Sequence, residues 1–242
     1  MINNKNILAI IPARGGSKRI PNKNMIDFNG NPLIYWSIIA GLKSKYVDSV
    51  LVSTDDENIA HFSQTLGARV PFIRPKSISE DSSSTIDVVK HAVNHMVKIG
   101  ESYDYILLLQ PTSPLRSSLH IDSAVIFMME KEANAVIGVT EVDHPIEWSN
   151  TLPENLSMDS FILDKYDGIR SQDLKKRYRK NGAIYLCKLD LVLECNSLVN
   201  IPNAYGFIMD RFSSVDIDTM DDLFCALMYV KYYNNFKDEF IQ

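Results

Sequence analysis

The sequence lacks most of the features that would settle a protein's chemistry at sight. Its 242 residues include only three cysteines, Cys187, Cys195 and Cys225, with no C-x-x-C spacing. An odd, unpaired set argues against a disulfide framework or a zinc knuckle and suits a reducing compartment, so a cytoplasmic protein is expected. No apolar run approaches the roughly 18–20 residues of a spanning helix. The run Ile7–Ile11 is cut off by Pro12 and Arg14, short of the ~7–15 residues of a signal-peptide core. Neither a membrane nor an export role is expected. Positive charge is not in excess either: 25 Lys+Arg against 30 Asp+Glu gives −5, which speaks against a dedicated nucleic-acid binder. Neither G-x-x-x-x-G-K-[ST] nor G-x-G-x-x-G occurs. A P-loop hydrolase and an NAD-dependent oxidoreductase thereby lose their best support. There is no H-E-x-x-H, and His91 and His95, four apart, have no third ligand in view, so His61, His91, His95 and His120 read as helix residues.

What is present is the composition of a folded protein, 45% hydrophobic and 23% charged. Short β-branched runs recur at Ile7–Ile11, Val50–Ser53, Val70–Ile73, Ile106–Leu109 and Ala135–Val139. Between them lie segments of helical period. One follows Asn31-Pro32, a candidate cap and first helical residue; a second follows Ser84, with Asp87 three residues on; a third carries Leu119, Ile121, Ala124, Val125, Met128 and Met129. Alternating strands and helices with continuous apolar strands predict an α/β fold, a mostly parallel sheet covered on both faces. Residues 143–180 break the pattern, being polar and turn-rich. A structureless loop of that length is improbable inside a domain, so a small lobe packing on something else, such as a second copy, is expected there. The domain proper is then 1–142 with 181–242. Strands resume at Ala183–Cys187, Tyr205–Met209 and Val215–Asp218, before a closing helix from about Asp221 whose Tyr229, Tyr232, Tyr233 and Phe236 suggest a packing face.

Two constellations carry chemistry. The first strand runs into PARGGSKRIPNKN, where Arg14, Lys18, Arg19 and Lys23 gather with no acid among them. Open parallel sheets bind ligands beyond the C-terminal ends of their strands, and Gly15 and Gly16 let backbone amides approach an anion. Arg supplies a bidentate fork and Lys a point charge for phosphate oxygens. The bland alternative is a solvated basic loop. The second constellation is Val215-Asp216-Ile217-Asp218. In an extended segment residues two apart share a face, so both carboxylates aim at one spot, where they repel unless a cation lies between them or one holds a proton. Mg²⁺ takes one or two carboxylates together with phosphate oxygens and water. The alternative, that Asp218 merely caps the following helix, leaves Asp216 unexplained.

With IPARGGSKRIPNKN, LLLQPTSPLR at 107–116, RKNGAIY at 179–185 and VDIDT at 215–219 on view, together with STDD at 53–56 and RP followed by EDSSST, the chain resembles the CMP-sialic acid synthetases, or acylneuraminate cytidylyltransferases. The likeness covers nearly the whole chain in order. It implies a three-layer, Rossmann-like nucleotidyltransferase fold and the reaction of CTP with a nine-carbon 2-keto sugar acid, of the N-acetylneuraminate, legionaminate or pseudaminate type, to give a CMP-sugar and pyrophosphate. By that resemblance Arg14, Gly15, Ser17, Lys23 and Asn24 serve the CTP phosphates and ribose. Arg74, Ser83 and Thr85 surround the nucleoside. Gln110, Arg170, Arg179, Asn181 and Tyr185 line the sugar pocket, and Asp216 and Asp218 hold Mg²⁺. Catalysis is carried by Arg14, Lys23, Asp216 and Asp218, either aspartate being a candidate general base. The lobe at 143–180 matches the family's dimerisation segment, so a homodimer is implied. The related KDO cytidylyltransferases, a sugar-phosphate pyrophosphorylase and a catalytically silent nucleotide-binding dimer are the competing readings. Two departures from the family pattern fall near the sugar: Arg170-Ser171-Gln172 separates an Arg and a Gln usually adjacent, and Lys180 stands where a Pro is usual.

Overall fold

Six strands form one sheet in the order β4-β1-β5-β7-β6-β8, in a computed structural model that describes residues 5–80 and 82–240, with side chains of the last helix described as far as Tyr232. The strands are β1 (Ile7–Pro12), β4 (Ser49–Ser53), β5 (Tyr105–Leu108), β6 (Ala135–Glu141), β7 (Tyr178–Lys188) and β8 (Ala204–Ile208); β2 (Asp27–Phe28) and β3 (Asn31–Pro32) make a separate hairpin. β1 pairs in parallel with β4 and β5, and β6 with β8, while β7 runs antiparallel to both β5 and β6. Five strands thus point one way and one the other, a mostly parallel sheet as expected.

The apolar strands are apolar because both sheet faces are covered. Along β1, Ile7, Ala9 and Ile11 face helices α1 (Leu33–Leu42), α2 (Glu57–Thr65) and α4 (Ser118–Glu130), while Leu8 and Ile10 face α3 (Thr85–Lys98) and α5 (Leu189–Cys195). This two-sided burial gives a continuous rather than alternating pattern. Caps set the helix starts. Asp56 accepts from the amides of Asn58 and Ile59, Ser84 from that of Asp87, and Ser117 forms a reciprocal box with His120.

Four sequence expectations shift. Val70–Ile73 is not a strand: a single bridge joins Arg69 to Leu51, and Pro71, lacking an N–H, cannot extend a ladder. Val215–Asp218 is extended but outside the sheet, held by the Ile217 amide on the Thr112 carbonyl at 2.8 Å. Helix α1 starts at Leu33 with Pro32 as its cap, because Asn31-Pro32 belongs to the hairpin closed by Asn29-Gly30, both at positive φ, a turn those two residues favour. Leu119 is exposed, off the buried face of α4. The closing helix, α6, spans Met220–Phe240. Tyr229 and Tyr232 are exposed on it; the side chains of Tyr233 and Phe236 lie outside the described residues.

Residues 142–177 leave the sheet between β6 and β7, crossing three short 3-10 turns. β7 begins at Tyr178, earlier than expected, with Tyr178 opposite Glu141 and Arg179 opposite Thr140. Ion pairs Lys176–Glu141 at 3.0 Å, Arg177–Glu147 at 2.7 Å and Arg211–Asp143 at 3.2 Å tie the excursion to its base. Among the described residues no helix is long and apolar enough to cross a membrane.

Candidate active site

A cleft of about 340 Å³ opens where β1 and β5 end. It lies at the point where the chain, having gone from β1 to β4 on one side, returns to β5 on the other, the place where open α/β sheets bind ligands. Pro12 and Arg14 come from the end of β1, Gln110 and Thr112 from the end of β5, Ser83 and Thr85 from the start of α3, and Asp216 and Asp218 from the extended segment before α6. Lys23 and Arg74 complete the polar wall. Residues separated by about 200 positions therefore share one space, as the two motif readings required.

Apolar packing brings the basic loop to the carboxylates. Ile20 and Phe28 are buried in a small cluster with Leu33, Ile217, Leu223 and Ala226. Full burial of one such side chain contributes about 1.5–3 kcal/mol. Repulsion between neighbouring exposed cations near 4 Å in water is about 1 kcal/mol, so the anchor wins. From this anchor Lys23 Nζ donates to Asp218 Oδ1 at 2.9 Å and to the Ile217 carbonyl at 3.0 Å, and Arg19 donates to Asp218 Oδ2 at 3.2 Å. An ammonium has three donors, so Lys23 keeps one N–H beyond these two bonds. The basic loop is therefore built into the cleft wall.

Asp218 does not cap the helix. Thr219 and Asp222 do: Asp222 Oδ2 accepts from the amides of Asp218 at 3.0 Å and Thr219 at 2.7 Å, and the Asp222 amide donates to Thr219 Oγ1 at 3.3 Å. That leaves the Asp218 carboxylate to the cleft. Asp216 is deeper. Burial raises its pKa and the Asp218 charge adds to this, against a hydrogen bond from Thr112 and the positive fields of Lys23 and Arg179. Its Oδ1 is buried without a hydrogen-bond partner. A desolvated carboxylate oxygen with nothing to bind, beside a second carboxylate, is a donor set that fits a hard divalent cation. Among the described residues no three His, Cys, Asp or Glu side chains gather as a ready metal cage.

On the far wall Arg74 is buried, and burial lowers its pKa. It donates through Nε to Ser79 Oγ at 3.0 Å and lies 3.7 Å from the Asp55 carboxylate. The same carboxylate accepts from the Gly15 amide at 3.0 Å, so this amide of the glycine pair already has an anion. Asn24 is buried and donates to the Arg14 carbonyl at 2.9 Å, which fixes the loop from behind. Ser17 is half-buried and outside the cleft lining.

The residues expected around a sugar divide. Gln110 lines the cleft. Arg179 sits on β7 with its positive field on Asp216, and Tyr185, half-buried on the same strand, has its pKa raised first by burial and then by Asp216. Arg170 lies in the excursion, exposed and paired with Asp173 at 2.9 Å, outside the cleft lining. Asn181 is not on the cleft surface. It is buried in a bulge of β7, where the register jumps from Ile137↔Tyr185 to Val139↔Lys180. Its carboxamide accepts from the Ala183 amide at 3.1 Å and donates to Ser214 Oγ at 3.0 Å. The bulge needs its glycines: a Cβ at Gly138 would come within 2.6 Å of Asn181 Oδ1, and one at Gly182, whose φ is +77°, within 2.5 Å of Gln110 Oε1. Gly182→Ala is therefore expected to cost about 1–2 kcal/mol from φ alone, lowering Tm by a few degrees, and to push Gln110 out of place. A melting curve indistinguishable from wild type would show that the bulge tolerates a side chain.

Sequence reading missed Thr112, which hydrogen-bonds to Asp216 and whose carbonyl holds Ile217; its place inside QPTSPLR was the available signal. It also missed Ser79, which lines the cleft without a motif of its own, and gave no role to Glu80, the first residue of EDSSST.

Comparison with known proteins gives the family. The cytidylyltransferase family model matches residues 8–185. A pseudaminic acid cytidylyltransferase of Campylobacter jejuni is 38% identical over 92% of this chain and 95% of its own length. An N-acylneuraminate cytidylyltransferase of Escherichia coli O18:K1:H7 is 32% identical over 98% of this chain and 55% of its own. The solved CMP:2-keto-3-deoxy-manno-octonic acid synthetase complexed with CTP superposes with a TM-score of 0.69 over 94% of this chain and 99% of that one, at 19% identity, a likeness of fold. The chain belongs to the cytidylyltransferase family, as its resemblance to the CMP-sialic acid synthetases implied.

Proposed function

We propose that the protein transfers CMP from CTP to the anomeric hydroxyl of a nine-carbon 2-keto sugar acid and releases pyrophosphate. One observation supports this above the others: Arg14, Lys23 and Arg74 converge with the Asp216/Asp218 pair on a single cleft that also holds Gln110. The names of the relatives, pseudaminic and N-acylneuraminate cytidylyltransferase, supply the class of acceptor. In the transfer, a bond forms from the anomeric oxygen to the α-phosphorus as the bond from that phosphorus to the bridging oxygen of pyrophosphate breaks, and the hydroxyl proton passes to a carboxylate of the Asp216/Asp218 pair, the candidate general base.

Both reactants are anionic, so repulsion is the first barrier. Arg14 and Lys23 lie where phosphates would enter, and Arg74 on the opposite wall reaches the nucleoside end. A Mg²⁺ held by Asp216 and Asp218, when bound, would neutralise phosphate charge and favour departure of pyrophosphate. Thr112 aims Asp216, the Ile20 anchor aims Lys23, and the bulge of β7 aims Gln110 toward the acceptor. Holding both reactants in register supplies the orientational part of the rate. The excursion at 142–177 exposes Ile146, Leu152, Leu156, Met158 and Leu163, more apolar surface than a loop facing only water carries, which supports a homodimer formed through it. Three free cysteines, Cys187 in the core among them, suit a cytoplasmic enzyme.

The test is pyrophosphate release from CTP and Mg²⁺ with pseudaminate, N-acetylneuraminate, legionaminate and the eight-carbon KDO as acceptors. Turnover with a nine-carbon acid and dimeric sedimentation of the same preparation are expected. Preference for KDO, or release with none of the four, would overturn the assignment.

A further inference from the structure

Among the described residues Arg116 is the largest fully buried side chain, 1% exposed, and no carboxylate pairs with it. Its guanidinium rests on neutral groups. Nε donates to the Ala183 carbonyl at 3.0 Å, and Nη2 to Ser37 Oγ at 2.8 Å and to the Gln110 carbonyl at 3.2 Å, while Nη1 has no partner. Burial pushes its pKa down to about 9, so it stays charged at neutral pH with nothing to compensate it. An isolated buried cation is among the most costly things a core can hold, and a well-packed apolar side chain in its place is often neutral or stabilising. Stability therefore does not account for it.

Its three contacts do. Gln110 stands at the end of β5 and faces the cleft, Ala183 belongs to the bulge of β7, and Ser37 is on α1, where its hydroxyl also donates to the Gln110 carbonyl at 3.1 Å. The two carbonyls belong to, or adjoin, Gln110 and Gly182, which pack so that a Cβ added to the glycine would meet Gln110 Oε1 at 2.5 Å. The Gln110 carbonyl keeps other donors, Ser37 Oγ and the Ser113 amide at 3.2 Å, so what Arg116 adds is the bridge from that carbonyl to the one of Ala183. Without the bridge the gap between strand end and bulge would be free to change. Residues on the nucleotide side, Arg14, Lys23, Arg74, Ser83 and Thr85, make no contact with Arg116 in the hydrogen bonds described.

We infer that Arg116 is a positioning residue for the acceptor half of the cleft, locking Gln110 and the Asn181–Ile184 bulge in register from behind while leaving the nucleotide half untouched. The inference rests on the proposed reaction, and its reach is specific: loss of the clamp should weaken the sugar acid and spare CTP. A misplacement of about 1 Å at a reacting centre can cost about 100-fold.

The experiment compares wild type with Arg116→Ala, Arg116→Met and Arg116→Lys, using CTP and whichever nine-carbon acid the wild type turns over best. Expected for Ala and Met is a rise of about tenfold or more in KM for the acid, with KM for CTP within about twofold. Lys, a point charge without the planar fork, should recover only part of the loss. Millimolar guanidinium chloride should restore Arg116→Ala, whose side chain leaves the space open, and not Arg116→Met, whose side chain fills it. Equal rises in both KM values, a lowered Tm with both unchanged, or equal rescue of Ala and Met would overturn the inference. Amide exchange provides a readout independent of the reaction. Exchange at 181–184 should rise in Arg116→Met while that of α2 stays level, and unchanged exchange at the bulge would sink the clamp even if the wild type accepted no sugar acid.

Discussion

Asp216→Asn should lower kcat by about three orders of magnitude and yet melt no lower than wild type at neutral pH. The first half follows from its place in the cleft, where a buried carboxylate with an oxygen that has no hydrogen-bond partner lines the proposed phosphate site. Removing one preorganised electrostatic partner of a transition state commonly costs 10²–10³-fold, and a metal ligand lies at the upper end. The second half is a matter of sign. Burial raises the folded-state pKa of Asp216 above its unfolded value, so between the two the folded protein binds more protons and loses stability as pH rises through that window. Above it, the ionised carboxylate is a net burden on the fold. Asparagine has no charge to desolvate, keeps the shape, and can still meet the Thr112 hydroxyl. The difference in Tm between variant and wild type should therefore be largest at neutral pH and vanish below about pH 3.8, the unperturbed value. Mg²⁺ with CTP should raise the Tm of wild type and leave the variant unmoved. A variant that melts well below wild type, or one that turns over normally, would contradict the role given to this carboxylate.

Lys23→Ala is expected to lower kcat/KM for CTP by about a hundredfold, far beyond what its salt bridge alone would predict. Ion pairs at the surface contribute about 0–1 kcal/mol, and Arg19, two-thirds exposed on the same Asp218 carboxylate, serves as the internal control. Arg19→Ala should change kcat/KM less than about threefold on that ground. Lys23 differs because its side chain is mostly buried, 14% exposed, and because it joins three things: Asp218, the Ile217 carbonyl and the open cleft. Its loss removes a cation from the cleft and leaves the carboxylate pair less compensated at once. Steady-state kinetics in CTP at two ionic strengths would separate the two arginine and lysine roles, since only the exposed pair is strongly screened. A two- to threefold effect for Lys23→Ala would be too small for a triphosphate ligand.

The sheet and the site were unequally legible in the sequence. β1 and β5 were visible because two-sided burial leaves an unbroken apolar run, and α3 because Ser84 announces its start. Val70–Ile73 deceived because β-branched residues in an irregular segment look like a strand until Pro71 is weighed. Val215–Asp218 deceived in another way: the alternation of apolar and acidic residues is real, with Ile217 buried and both carboxylates on the cleft, and only the ladder is missing. In the site, charged residues gathered in one stretch could be found by counting. Asn181 could not be placed, because RKNGAIY gives no sign that its register slips by a bulge and turns the asparagine inward. Nor could the neutral surroundings of Arg116, which exist only once β5, β7 and α1 meet.

The excursion at 142–177 leaves and re-enters the sheet through residues that already pair, Glu141 opposite Tyr178. A chain segment whose two ends are pinned side by side can grow, shrink or be rewritten with little entropic penalty, since closure cost rises only with the logarithm of length. The excursion can in that way vary while the cleft residues on β1, on α3 and in the segment before α6 keep their places. The paired exit at its base makes the excursion a separable piece of chain on an undivided fold.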